Sequence, residues 1–512
     1  MENKFNALPA EGGAKPAQIS RRIYETAPLD RLLAGAVLAW CFLAVDAVLY
    51  SPSLGLGLTA AVFAWYALLL LAMRQKLFQT RESRVLLAAN LLLGASFALG
   101  SNPYFHLWNF LALLALIPIH ALSLSAAARL PWQRPMMLWE RLCLLFSGLF
   151  CHLWAVFSAL APEKDEKKGE SHTMAVVLGC FAALGLVSFL LPILTSADAL
   201  FAHAAQGLVR LFQVFLVQGL WELFLAVLLT PFLFGLLYSL RDPKPQEKPL
   251  PEGVPAADGV LFAIILAALD GLYLLFLAVQ SAGLFGGPEY LAQRGVSYAE
   301  WARSGFFQMV GVTALNLTAV LAAAVFSRRE GGAFRAVRIL AGILAGESLV
   351  LLASAAWRMT LYVGAYGLSF KRFMTYWGMA MMALLLLLAL GKALRPERSF
   401  CRAAFPLVLA GWLAVNCVPV DYLTARNQVD RYLHHQSPSI SVHYLLYSLS
   451  YDTLSQLERL DGSLRLSDLE ADWWGRDETL SQLLLQRRER AQYACANWRS
   501  WSLSACLAAI RD

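Results

Sequence analysis

The chain has 512 residues, of which 58% are hydrophobic and 15% charged, with a mean hydropathy of +0.55. A soluble globular protein carries about 25% charged residues, so this one has too few to cover its own surface. Disorder, a nucleic-acid-binding domain and an ordinary cytosolic enzyme are excluded, and the formal charge of +7 reads as basic loops retained in the cytoplasm.

The first ~30 residues are polar, with Lys4, Lys15, Arg21 and Arg22, and hold no apolar core followed by a cleavage site. No cleavable signal is expected, and the first span should act as the insertion signal. A span needs about 20 apolar residues. Candidates in chain order are 32–49, 54–73, 85–99, 107–124, 174–194, 215–240, 260–280, 306–326, 337–357, 375–390 and 403–420, about eleven in all. The fold class is therefore all-α: a polytopic transmembrane helix bundle behind a polar segment, 1–31, with the membrane domain over 32–420.

One more apolar stretch, 142–161, is long enough but ambiguous. The basic connections 74–84, 129–141, 327–338 and 392–402 should all stay cytoplasmic. With the N-terminus inside, the last two do so only if 142–161 lies in the interface or dips in and returns. The same parity puts the C-terminus outside.

The tail, 421–512, has a different composition: no Lys, twelve Asp or Glu and ten Arg, with many Leu, Tyr and Trp. Apolar residues recur at helical spacing at Leu445, Leu449 and Leu457, then at Leu480, Leu484 and Leu485. Ser437-Pro438 marks a turn. Three or four packed helices outside the membrane are expected. Cys495 and Cys506 would stand about 16 Å apart on one continuous helix, too far to bridge. They are expected to be free unless the chain bends between them.

Two adjoining runs, Gln280-Ser-Ala-Gly-Leu-Phe-Gly-Gly287 and Tyr298-Ala-Glu-Trp-Ala-Arg-Ser-Gly-Phe-Phe307, resemble a bacterial multi-pass membrane family, the domain-of-unknown-function 4153/4173 group. Ser196-Ala-Asp-Ala-Leu-Phe201, Leu361-Tyr-Val-Gly-Ala-Tyr-Gly-Leu-Ser-Phe370 with Arg372, and the tail patterns Ala425-Arg-Asn-Gln-Val-Asp-Arg-Tyr432 and Leu449-Ser-Tyr-Asp452 are similar to the same family. The resemblance implies a helical architecture in a bacterial inner membrane and brings no activity with it.

Three of these segments, 196–201, 280–307 and 361–370, fall on the outer side by parity, where the tail joins them. Loops carry function more often than spans. An outer-face site roofed by the tail is therefore expected, with Gln280, Tyr298, Glu300, Arg303, Tyr362, Tyr366 and Arg372 as candidates. Ser297 and Glu300 also have capping-box spacing, and Arg303 can pair with Glu300. Arg358, Tyr362 and Tyr366 share a face only if the helix runs through Gly364 and Gly367.

Asp46, Glu222, Asp270 and Glu347 sit inside apolar runs. A carboxylate at the bilayer centre costs at least about 2.5–3.5 kcal/mol, so each should face the bundle interior. Asp270, Glu347 and Arg358 form the candidate intramembrane polar cluster. Glu347 follows Gly342-Ile-Leu-Ala-Gly346, a small-xxx-small pattern that lets a helix approach closely.

HExxH, the phosphate-binding loop, GxGxxG, GxSxG and CxxC are all absent. No cofactor or metal is expected. The expected partners are the lipid bilayer and, on the outer face, another envelope protein or a small ligand. The leading reading is a non-enzymatic envelope sensor or scaffold, and the alternative is a transporter or lipid-handling protein working through the intramembrane carboxylates.

Overall fold

The computed structural model describes residues 28–73, most of 80–160, isolated positions within 179–196, then 218–241, 257–285, 306–328, 331–470 and 478–510. Helices dominate throughout. In the membrane domain they are α1 (Pro28–Leu49), α2 (Leu56–Met73), α3 (Arg81–Leu99), α4 (Pro103–Ser123), α5 (Met137–Cys151), α6 (Ala155–Leu160), α7 (Gln218–Arg241), α8 (Gly259–Phe285), α9 (Phe306–Phe326), α10 (Gly331–Tyr366), α11 (Phe370–Leu394) and α12 (Phe400–Asn416). The tail adds α13 (Val420–Leu433), α14 (Leu454–Leu457), α15 (Leu466–Leu469), α16 (Leu480–Ala496) and α17 (Leu503–Ile510).

Among the described residues nine helices are long and apolar enough to cross a membrane, and ten if α12 and α13, bent by 51°, are taken as one. Such helices satisfy their backbone hydrogen bonds internally, which a hydrocarbon solvent demands. The protein is a multi-pass integral membrane protein. The expected span at 174–194 lies almost wholly outside the described residues. The ambiguous stretch 142–161 breaks after Cys151 into α5, of 15 residues, and α6, of six. Neither piece alone reaches span length.

Two lobes form the bundle. In one, α1, α2, α3, α4, α6 and α7 share a core around Val37, Leu69, Leu93 and Leu237. In the other, α8, α9 and α10 pack around Leu266, Val320 and Leu344, with α11 closing the layer through Leu386 and Ala389. Helix α12 joins them, because Trp412 stacks edge-on against Trp377 of α11 and donates to Asn109 Oδ1 of α4 at 2.8 Å.

The bundle has two distinct ends. At one, Arg241 pairs with Asp30, Ala257 bridges Ser327, and Arg338 donates to the Ala393 carbonyl at 2.9 Å. The described arginines of the basic connections gather at this arginine end. At the other, the α1–α2 and α3–α4 connections, the α10–α11 turn and the end of α12 meet the tail. Helix α1 begins at the first end and reaches the second with Asp46, sixteen residues or about 24 Å beyond Asp30.

The tail's core uses bundle residues. Leu445, Leu449, Leu457 and Leu480 are buried with Phe105 of α4, Phe370 of α11 and Val415 of α12. Leu484 is half-buried against this cluster, whereas Leu485 points outward and is 60% exposed. The expectation of free cysteines is corrected. Helix α16 stops at Ala496, the chain turns through 497–502, and α17 brings Cys506 back to Cys495, with Cα atoms 5.3 Å apart and the sulfurs bonded.

Candidate functional site

The tail is fastened to the bundle at four places. Gly55, between α1 and α2, lies so close to the tail that an added Cβ would come within 2.6 Å of the Ser500 carbonyl carbon. That contact lets Leu56 N donate to the Trp501 carbonyl at 2.9 Å and Gly57 N to the Arg499 carbonyl at 3.1 Å. Beside them Arg499 clamps Asp46, with Nε to Oδ2 at 2.8 Å and Nη2 to Oδ1 at 2.5 Å. This hydrogen bonding raises the guanidinium pKa, and Glu222 adds its own charge. Asp46, an unexplained acid in the sequence, is thus the bundle's receptor for a tail arginine, with the Glu222 charge nearby.

The α10–α11 turn is the second fastening. Helix α10 runs unbroken through Gly364 and ends at Gly367, whose φ of +76° is the left-handed conformation that closes a helix. Arg431 of α13 donates to the orphan carbonyls of Gly364 and Ala365 at 2.8 and 2.9 Å, and Asn427 Oδ1 accepts from Leu368 N at 2.7 Å. Arg372 donates to the carbonyls of Tyr366 and Gly367, and its guanidinium lies 4.4 Å from the Tyr362 ring centre. The structure therefore brings Tyr362, Tyr366 and Arg372 together, with Arg372 capping a helix end.

The third and fourth fastenings enclose a cavity. Asn102 caps α4, accepting from Phe105 N at 2.9 Å, a role signalled by the Pro103 that follows. Its amide donates to both Asp421 oxygens at 2.8 and 2.7 Å, and Ser450 N donates to Asp421 at 2.9 Å. Burial pushes the Asp421 carboxyl up, against the lowering effect of those hydrogen bonds. Nearby, Ser504 and Ser450 donate to the two Asp452 oxygens, and Ser101 holds Tyr451 N. Deeper, Asn109 donates to Asn416 Oδ1 at 2.7 Å and to Ser96 at 2.8 Å.

Between these two networks lies a cavity of about 460 Å³, formed by the ends of α3 and α12, the starts of α4 and α13, and Ser450 and Asp452 of the tail. Leu92, Leu93, Leu99, Phe105 and Leu413 give it apolar walls. Asn109 and Asn416 mark one side, and Asp421 and Asp452 the other. An apolar cleft with a few convergent polar groups is the usual form of a small-molecule site. Asn102 and Ser450 were missed from the sequence because single Asn and Ser residues at helix ends signal caps, and Asn109 because one polar residue inside a span carries no pattern. Ser450 and Asp452, both within the family-like Leu449-Ser-Tyr-Asp452 run, carried the one hint.

The other candidates separate. Tyr298, Glu300 and Arg303 lie outside the described residues, and of Gln280 only the helical backbone is described. In the intramembrane cluster, Asp270 of α8 and Glu347 of α10 are 4% and 6% exposed and close enough to repel one another. Arg358 does not join them: it stands eleven residues, about 16 Å, along α10 from Glu347. The small-xxx-small expectation is also corrected. A methyl at Gly346 would touch nothing within 4 Å, and one at Gly342 would touch only Leu390, at 3.7 Å.

No curated protein and no solved structure matches the chain. A family model does, over residues 87–460, from within α3 into the tail. That span takes in the bundle from α3 onward, the α10–α11 turn and every residue that lines the cavity, whereas α1 and α2 precede it. The chain belongs to the family described as Domain of unknown function (DUF4153).

Proposed function

We propose that this protein is a non-enzymatic sensor or scaffold of the bacterial inner membrane, whose tail roofs an outer-face cavity that takes a small amphipathic ligand. The single observation that carries this reading is the 460 Å³ cavity formed jointly by the bundle and the tail. Its apolar walls suit a hydrocarbon or ring body. Its Asn and Ser groups and its two carboxylates, Asp421 and Asp452, favour a neutral or cationic hydrogen-bonding head. Ligand occupancy would be felt by the tail, because the groups that border the cavity are the groups that hold the tail down.

In this reading the arginine end faces the cytoplasm and the tail faces outward. Two arguments support that orientation independently. Basic connections resist translocation, and a disulfide such as Cys495–Cys506 persists in oxidising compartments. A fluorescent protein fused after Asp512 should stay dark, whereas an alkaline phosphatase fused there should be active. The opposite pattern rejects the orientation.

The ligand is tested by mass spectrometry of the full chain purified in native lipid. Wild type should release an amphipathic molecule that Ala95→Phe, which fills the cavity, does not retain. Equal retention by the two, or none by either, rejects the cavity as the site.

A further inference from the structure

Asp270 and Glu347 are set apart from the other buried acids by what surrounds them. Asp30 and Asp46 each hold an arginine, and Asp421 holds Asn102 and Ser450. Among the described residues no hydrogen-bond partner reaches either oxygen of Asp270 or of Glu347, although all four are shielded from solvent. Asp270 lies eleven residues into α8, about 16 Å from its arginine end and near the middle of the bilayer. Two ionised carboxylates at that depth cost several kcal/mol each unless a positive charge compensates them.

A third group makes this more than a pair of acids. Asn316 of α9 is fully buried, and its Oδ1 also lacks a partner. Its amide nitrogen donates to Ser348, the residue after Glu347, at 3.0 Å. The Asn316 side chain also lies near the hydroxyl of Tyr273, one turn along α8 from Asp270, and Tyr273 in turn lies near Glu347. Three packed helices thus carry buried oxygens that have no partner among the described residues: two carboxylates and a carbonyl. Ser348 cannot fill the gap, since its hydroxyl proton is committed to the Leu344 carbonyl at 2.6 Å.

We propose that Asp270, Glu347 and Asn316 form an intramembrane binding site for a small hard metal cation. Oxygen-only ligands select such ions, and the two carboxylates supply the countercharge. The site is independent of the roofed cavity and stands on other helices, so either can fail alone.

The test is carboxyl labelling of the full chain in lipid nanodiscs with dicyclohexylcarbodiimide, an apolar reagent that reaches intramembrane acids, with the adducts mapped by mass spectrometry. Parallel samples contain sodium, potassium, calcium, magnesium or choline chloride at equal ionic strength and pH. Labelling at Asp270 or Glu347 should fall about tenfold in at least one metal salt relative to choline, as it would at about ten times the dissociation constant. The salt that protects identifies the ion. Asn316→Leu, provided that it melts like wild type, should lose much of that protection while its carboxylates still label. Equal labelling in all five salts overturns the proposal, as does the absence of labelling in every salt.

Discussion

The tail junction and the α8–α9–α10 layer both bury carboxylates, and they treat them in opposite ways. At the junction Asp46 receives a two-pronged arginine, and Asp421 accepts from an asparagine side chain and a backbone amide. In the layer Asp270 and Glu347 receive no hydrogen bond from the described residues. A buried charge with a complete set of partners has a structural explanation. One without partners must be neutralised by a proton or compensated by a bound charge, because burying it ionised and alone is costly. The same residue type thus acts as mortar in one region and marks a candidate site in the other.

Substitution should separate the two regions. Asp421→Ala strands the Asn102 amide and the Ser450 N–H together, and should lower stability by about 3 kcal/mol, read as an earlier thermal melt by tryptophan fluorescence. Replacing Cys495 and Cys506 with Ser frees a short loop and should cost about 2–3 kcal/mol. In wild type, alkylation without reductant should leave both cysteines unmodified by mass spectrometry. Gly55→Ala forces a methyl into the Ser500 backbone and should cost about 1–2 kcal/mol, with limited proteolysis releasing the tail sooner.

Arg499→Met should cost about 1 kcal/mol, discounted because the arginine side chain is 31% exposed. Asp46→Asn should suppress most of that cost in the double mutant. The smallest effect should come from the other region and carry the opposite sign. Asp270→Asn and Glu347→Gln remove unpartnered charges and should leave the melt unchanged or raise it by up to about 1 kcal/mol in metal-free buffer. If these two destabilise as strongly as Asp421→Ala, the contrast between the regions is lost.

Hydrophobicity and length were enough to read the helical, multi-pass architecture from the sequence, because a span must be long, apolar and internally hydrogen-bonded whatever its neighbours. The same local logic found Asp46, Glu222, Asp270 and Glu347 as residues needing an explanation. It could not say which had one. Arg499 lies 453 positions from Asp46, and Asn102 lies 319 from Asp421, so only the folded chain decides that these acids are paired and that Asp270 and Glu347 are not. The cysteine bridge likewise turned on a bend at 497–502 that helical periodicity does not encode. Arg358 was grouped with Glu347 because both lie on one helix, but the rise of 1.5 Å per residue keeps them apart. The cavity's border was hidden for the same reason. Each of its asparagines and serines has an ordinary local reading by itself, as a cap, a turn or a polar position within a helix, and they become a site only when four helix ends and the tail meet.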